Sequence, residues 1–201
     1  MELNEHSYYE SLYEVAAVVN SARAPESVLH SIIERVAQVL SAKGCSLMLL
    51  SPDRKQLFHT AAYGLSDLYV RKGPVSIDKS ISEALGGKAV AVLDATEDER
   101  VQYRKQAKKE GIASILSVPV SLREEIIGVI RVYTGKPYRF TTDDIFFVRA
   151  VAHLGAIALE NARLYESVQK DYATFRRDML EWRAGGAYRA PPKERKASKQ
   201  G

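Results

Sequence analysis

The sequence predicts an α+β fold. Three observations lead there. Amphipathic helical patterns stand at both ends of the chain. β-rich runs bounded by turn residues fill the middle, two pairs of them joined by short charged turns. Composition is ordinary for a globular protein, with 46% apolar and 27% charged residues in 201, ample length to bury a core.

The elements follow in order. Residues 7–22 read as an amphipathic helix, because Tyr8, Leu12, Val15 and Val19 make one narrow stripe. Pro25 suits the first turn of a second helix, whose apolar face is Leu29, Ile32, Ile33, Val36 and Leu40 and whose expected left-handed stop is Gly44. Cys45–Leu50 and Leu57–Tyr63 read as strands joined by the turn residues Ser51-Pro52-Asp53-Arg54-Lys55, giving a hairpin or near-hairpin. Residues 64–77 hold Gly64, Gly73 and Pro74 without a period and read as a loop. Asp78 caps an expected short helix, Lys79–Leu85, and Ala89–Leu93 reads as a short strand. Thr96 with Glu99 is a capping-box pattern that predicts a charged helix over 97–110, ended by Gly111. Ile112–Leu122 and Ile126–Thr134 are strands joined at Arg123-Glu124-Glu125. Thr141 with Asp144, Asp standing in for Glu, opens a last helix with no strong breaker before Gly185-Gly186.

That helix carries two series at seven-residue spacing, Tyr165, Tyr172, Met179 and Val168, Phe175, Trp182. Together they form an a/d seam. The seam either packs on its own domain or pairs chains. Pairing is the sharper expectation, since an exposed stripe of this kind is a liability unless covered. A homodimer interface is therefore expected from Leu12, Val15 and Val19 of the first helix with Tyr165, Val168, Tyr172, Phe175, Met179 and Trp182.

Charge is uneven. The net charge is +4, but from Arg183 onward six basic residues against Glu194 carry +5, leaving −1 for residues 1–182. A compact nucleic-acid-binding face is disfavoured, apart from weak contact by the basic tail. The tail itself, 183–201, reads as disordered. Met1–His6 lacks the basic and apolar regions of a signal peptide, and the apolar stretch Ile145–Leu159 is short and contains Arg149 and His153. No membrane span and a cytoplasmic location are expected. Cys45 is the single cysteine, and His6, His30, His59 and His153 are scattered, so no metal site and no cofactor are expected.

Several stretches resemble the GAF domain, a regulatory module common in bacterial signalling. They are Leu57 through Ala61-Ala62-Tyr63-Gly64-Leu65, Asp94 with Asp98-Glu99-Arg100, Ser117-Val118-Pro119-Val120, Gly128–Thr134, Phe140–Asp144 and Ala158–Glu166. The likeness covers about residues 8–166. It implies a GAF/PAS-like central antiparallel sheet, with a helix layer on one face and short helices and loops over a small-molecule pocket on the other. The organisation expected is a dimerisation helix at 1–22, a GAF core at 23–164, a helical extension at 165–182 and the tail at 183–201. If Ile130 and Val132 face the helices, Arg131 and Tyr133 face the pocket. The pocket candidates are Arg131, Tyr133, Ser117, Ile115, Tyr103 and His59. Arg131 is read either as an internal ion-pair partner, for example of an acid in 97–110, or as an anchor for a carboxylate or phosphate ligand.

The resemblance also carries exclusions. The bilin-binding members use a cysteine commonly followed by His, whereas Cys45 is followed by Ser46 in the first strand. Members that reduce methionine sulfoxide need more than one cysteine. Members that bind cyclic nucleotides have an Asn-Lys pair, Phe and Asp-Glu, and here Gly135-Lys136, Phe140 and Asp143-Asp144 keep only part of that set. No Gly-rich phosphate loop or nucleophile elbow occurs. The leading expectation is a non-catalytic sensor that binds a small ligand and signals through dimeric terminal helices to a separate output protein. The alternative is a protein-interaction subunit whose pocket has closed. Large side chains filling the pocket would favour that alternative.

Overall fold

The computed structural model describes residues 5–20, 25–77 and 82–184. The chain divides into two compact units, Met1–Ala162 and Arg163–Gly201. Residues 185–201 of the basic tail, and the first residues of the short helix expected at Lys79–Leu85, lie outside the described residues; Arg183 and Ala184, expected in the tail, close the last helix instead.

The first unit opens with α1 (Glu5–Val19) and α2 (Pro25–Val39). Strands β1 (Gly44–Leu50) and β2 (Gln56–Tyr63) form the expected hairpin. Next come α3 (Asp67–Val70), β3 (Val75–Ser76), α4 (Ser82–Leu85), β4 (Val90–Val92) and α5 (Arg104–Glu110). Strands β5 (Ser114–Leu122) and β6 (Glu125–Thr134) precede the long helix α6 (Thr142–Ala184). The six strands form one antiparallel sheet in the order β3-β2-β1-β6-β5-β4.

Alternation sets the two faces. Cys45, Leu47, Leu116, Val118, Val120, Ile130 and Val132 pack against Val15 of α1, Ile32, Ile33 and Val36 of α2, and Phe147, Val148 and Val151 of α6. The other face carries Met48, Val129, Ile115 and Tyr133, under the short elements between β2 and β5. Pro119 lies on β5 beyond the three residues paired with β4, so its missing N–H breaks no bond on that edge. Gly128 of β6 lies close against β1, and a Cβ there would lie 2.3 Å from the Met48 carbonyl oxygen. Arg123 and Glu124, both at positive φ (49° and 70°), make the tight β5–β6 turn.

Four expectations are corrected. The left-handed residue after α2 is Ser41 (φ 46°), not Gly44, which starts β1. The 64–77 segment is not all loop, because Ser66 caps α3 by accepting from Tyr69 N at 3.2 Å, and Val75-Ser76 pairs with β2. The helix over 97–110 shrinks to α5. Asp94 accepts from both the N–H and the hydroxyl of Thr96 (2.9 and 2.8 Å), and Asp98 accepts from Arg100 N (2.9 Å). These local side-chain turns outcompete the capping box. Lastly, the α1 stripe serves its own domain: Val15 is buried, and Leu12 and Val19 pack against the core. The exposed face of α1 is Tyr9 and Tyr13.

One stretch of α6 is long and apolar enough to pass for a membrane span on composition, within Thr142–Leu180. Its apolar residues include Phe147, Val148, Val151, Ala152 and Ala156, all buried in the core. Helix–sheet packing therefore accounts for that part of its apolarity, while Phe146 and Ile157 are exposed.

Candidate functional site

Arg131 occupies the centre of the sheet. Its register partners are Ser46 on β1 and Ser117 on β5, so two small hydroxyl residues flank it in one row. That spacing leaves room for a guanidinium lying on the sheet, and Arg131 Nε donates to Ser117 Oγ at 3.1 Å. The Ser46 and Tyr133 hydroxyls are hydrogen-bonded at 3.0 Å, and Tyr133 is wholly buried. Tyr69 of α3 closes over Tyr133 edge-on, with ring centroids 5.8 Å apart. Arg131, 6% exposed, thus sits among tyrosines and serines.

His59 and Lys72 complete the cluster. His59 lies opposite Met48 in the β1–β2 register. Lys72 Nζ is 3.1 Å from His59 Nε2, donates to the Tyr69 carbonyl at 2.9 Å and lies 3.7 Å from the Tyr69 ring centroid. The Tyr103 ring lies further off, at 5.6 Å, and its hydroxyl donates to the Pro74 carbonyl. Burial, then the nearby Arg131 charge, pushes the Lys72 ammonium down to about 7, with Glu110 opposing. Burial first, then Lys72 and Arg131, pushes His59 down to about 3. Glu110, on α5, accepts from the backbone N–H and hydroxyl of Ser66, at 2.8 and 2.5 Å. The other His59 ring nitrogen, Nδ1, is buried without a hydrogen-bond partner.

Of the six sequence candidates, Arg131, Tyr133 and Ser117 form one contiguous set. Ile115 is Tyr133's β5 neighbour, His59 joins through Lys72, and Tyr103 stands at the margin. Sequence reasoning missed Lys72 and Tyr69, both placed in the supposed loop. The available signal was Ser66-Asp67, an N-cap followed by an acid, which starts the short helix that carries Tyr69.

Two cavities lie among other described residues. A cavity of about 470 Å³ is lined by Leu93, Asp94, Lys108, Ile112, Gly135 and Pro137 among others, and a groove of about 290 Å³ lies between α1 and α2. Neither is lined by any of the six candidates. On the Arg131 side of the sheet, Tyr69 packs edge-on against Tyr133 and Lys72 lies over the Tyr69 ring.

Cys45 is fully buried, and burial holds its thiol far above the usual range. The native protein should therefore resist a thiol-specific reagent, with labelling at least tenfold slower than in denaturant. Equal rates in the two conditions would show an accessible thiol. Among the described residues no group of three or more His, Cys, Asp or Glu is placed to hold a metal.

Known proteins share this architecture. The GAF domain of a phosphoenolpyruvate-protein phosphotransferase from Coxiella burnetii aligns with a TM-score of 0.72 at 19% identity, covering 82% of this chain and 99% of that one. Free methionine-R-sulfoxide reductase from Neisseria meningitidis, in complex with its substrate, aligns at 0.66 and 16% identity, covering 79% and 91%. In sequence, the chain is 24% identical over 165 residues to a methyl sulfide methyltransferase-associated sensor of Methanosarcina acetivorans. That match takes in 79% of this chain but 16% of the sensor's length. The family model described as GAF domain matches residues 22–160. With the six-stranded antiparallel sheet, this places the chain in the GAF domain family.

Proposed function

We propose that this GAF domain is a non-catalytic, cytoplasmic sensory or regulatory module. It binds a small ligand on the sheet face that carries Arg131 and relays occupancy through paired terminal helices to a partner protein. One observation carries the ligand reading. Cationic and hydroxyl side chains converge on the sheet face turned away from the helix layer, where an apolar filling would suffice if the face were only structural. The Methanosarcina sensor supports the sensory class. Against an enzyme of the sulfoxide-reducing kind stands the lone, buried Cys45, which cannot form an intramolecular disulfide. Native mass spectrometry of the purified protein tests the reading. A co-purified small molecule lost on Arg131→Met supports it, and a bare polypeptide under all conditions counts against it.

The relay rests on the seam. Tyr165, Val168, Tyr172, Phe175 and Met179 are all exposed on α6, while the side chain of Trp182 lies outside the described ones. A second copy of the chain is the occupant that a heptad repeat fits. Sedimentation should show a dimer at micromolar concentration for the full chain and a weaker one or a monomer for a chain ending near Tyr165. Two monomers would overturn the relay.

A second reading has its own support. Tyr69 and Tyr133 are nearly or fully buried at the place where a ligand is expected. A closed pocket would make the chain an interaction subunit, and a protein partner recovered without added ligand would favour that reading.

A further inference from the structure

We infer that the seam of α6 pairs with a second copy of the chain in parallel and in register, as a two-stranded coiled coil. Its flanks are closed by Asp171 against Arg176, and Asp178 against Arg183, of the second copy. The inference rests on the paired-helix reading above and gives that pairing its direction.

The seam lies in the second unit, Arg163–Gly201. Tyr165, Tyr172 and Met179 take heptad position a, and Val168, Phe175 and Trp182 take d. Trp182 and Arg183 enter by position on the helix alone. The other five seam residues are exposed, and Tyr165, Val168, Tyr172 and Phe175 by more than 60%. The flanks say what covers them. Asp171 and Asp178 fall at g, while Arg176 and Arg183 fall at e. Each acid stands five residues before an arginine, the offset at which g of one strand meets e of the other in a parallel pair. A parallel dimer thus sets opposite charges together at every one of these contacts. In an antiparallel pair g faces g and e faces e, so acid would meet acid and arginine would meet arginine. Opposite charges gain a little at such flanks and like charges lose a similar amount, which separates the two directions.

The remaining charges of the helix point the same way. On its outer positions the spacing pairs Arg163 with Glu166, Glu166 with Lys170 and Arg177 with Glu181, three or four residues apart within one helix. Asp171, Arg176, Asp178 and Arg183 have no opposite charge three or four residues away on either side. The charges that border the seam are thus the ones left over for another chain. Asp178 does approach its sequence neighbour, with Arg177 Nε 3.7 Å from Asp178 Oδ1. Both side chains are more than 60% exposed, and so long a contact between exposed groups holds little. The aromatic rings at a and d leave the direction open, since they would bury equally well against a or d of the second copy. Direction is therefore set by the flanks, and a parallel pair brings the C-terminal ends of both helices together.

The test uses the full chain with one new thiol at an exposed seam position. Wild type is the control, because its single cysteine, Cys45, is buried. In a glutathione redox buffer, Val168→Cys and Met179→Cys should each form a disulfide-linked dimer on its own, since equivalent a or d residues meet in a parallel register. An equal mixture of the two should give no link between them. Charge is read separately by sedimentation. The double variant Asp171→Arg, Asp178→Arg should weaken the dimer about tenfold at low salt, and less in about 1 M salt. Mixing it with Arg176→Asp, Arg183→Asp should restore dimers. All four positions are on the helix beyond the first unit, and Asp171, Arg176 and Asp178 are exposed, so the GAF core should fold in every variant. Links between Val168→Cys and Met179→Cys, with none within either alone, would show an antiparallel pair. That result would overturn the inference and leave the paired-helix reading standing, as would a double Arg variant that dimerises as wild type does. A wild type that sediments as a monomer would sink both, and a trimer or larger assembly would overturn the two-stranded form.

Discussion

Replacing Asp144 by alanine should cost about 2–3 kcal/mol and lower the melting temperature by about 5–10 °C. The carboxylate is almost completely buried, and three donors converge on it. Tyr8 Oη of α1 donates to Oδ1 at 2.8 Å, Tyr138 Oη donates to Oδ2 at 3.0 Å, and Thr141 N donates to Oδ2 at 2.7 Å. The Asp144 N–H donates back to Thr141 Oγ1 at 3.1 Å, which completes a capping box. One side chain thus starts α6, fixes the chain before it and ties α1 to the helix layer. Hydrogen bonds to a charged acceptor are worth more than neutral ones. Losing the acceptor unpairs a helix-terminal N–H and the hydroxyls of Tyr8, which is half-buried, and Tyr138, which is exposed and can turn to water. Asp144→Asn keeps an acceptor for one tyrosine but turns an NH₂ toward one of the remaining donors, so about half the loss is expected. Denaturant unfolding at fixed protein concentration measures both. The phenols report separately. Burial first and the Asp144 hydrogen bond second hold Tyr8 and Tyr138 above the ordinary phenol range, so an alkaline absorbance titration of Asp144→Ala should shift downward. A loss under about 1 kcal/mol would mean that the carboxylate is not the anchor its contacts describe.

This anchor was half legible in the sequence. The pattern Thr141-x-x-Asp144 names a helix start, and the structure has the reciprocal bonds. Nothing in a one-dimensional pattern pairs Tyr8 with a residue 136 positions later. The same limit governs α1. The spacing of Leu12, Val15 and Val19 says that one face is apolar but not what covers it, and the cover is the chain's own α2 and sheet. For the strands, period two assigned Arg131 and Tyr133 to one face and Ile130 and Val132 to the other. Side-chain direction in a strand is fixed by the backbone, so that assignment survives folding. Lys72 was beyond reach for the opposite reason. Its position follows from a four-residue helix and a two-residue strand, too short to leave a period. The helix predicted over 97–110 shows local competition deciding the outcome. A capping box needs the Thr96 hydroxyl to accept from the helix, yet here it donates to Asp94.

Lys72→Met should stabilise the protein at pH 6 by about 1–3 kcal/mol. The Lys72 ammonium is pushed down to about 7, chiefly by burial and then by Arg131. In the unfolded chain a lysine titrates near 10.4. Between about pH 7 and pH 10 the unfolded chain therefore holds more protons at this position than the folded one, and stability rises with pH across that window. Below pH 7 the charged lysine imposes its full cost, reduced here because its side chain is only half buried and partly solvated. Methionine fills a similar volume without a charge, so the gain should be largest at pH 6 and should shrink by pH 9, where the wild-type amine is already neutral. The two hydrogen bonds to His59 Nε2 and the Tyr69 carbonyl are lost at every pH, which keeps the net effect modest. His59 gives an independent reading. Its pKa, near 3, owes its largest share to burial and the next to Lys72, so it should rise in Lys72→Met and be followed by imidazole NMR. Since the unfolded histidine titrates near 6.5, wild type should lose stability on acidification from about pH 6.5 toward 3, and Lys72→Met should lose less. A core residue kept for packing would destabilise when replaced. A side chain whose removal strengthens the fold at neutral pH and below is held in place by something other than stability, as the proposed ligand binding on this sheet face requires. Equal or lower stability of Lys72→Met at pH 6 would instead show that Lys72 is part of what holds α3 on the sheet.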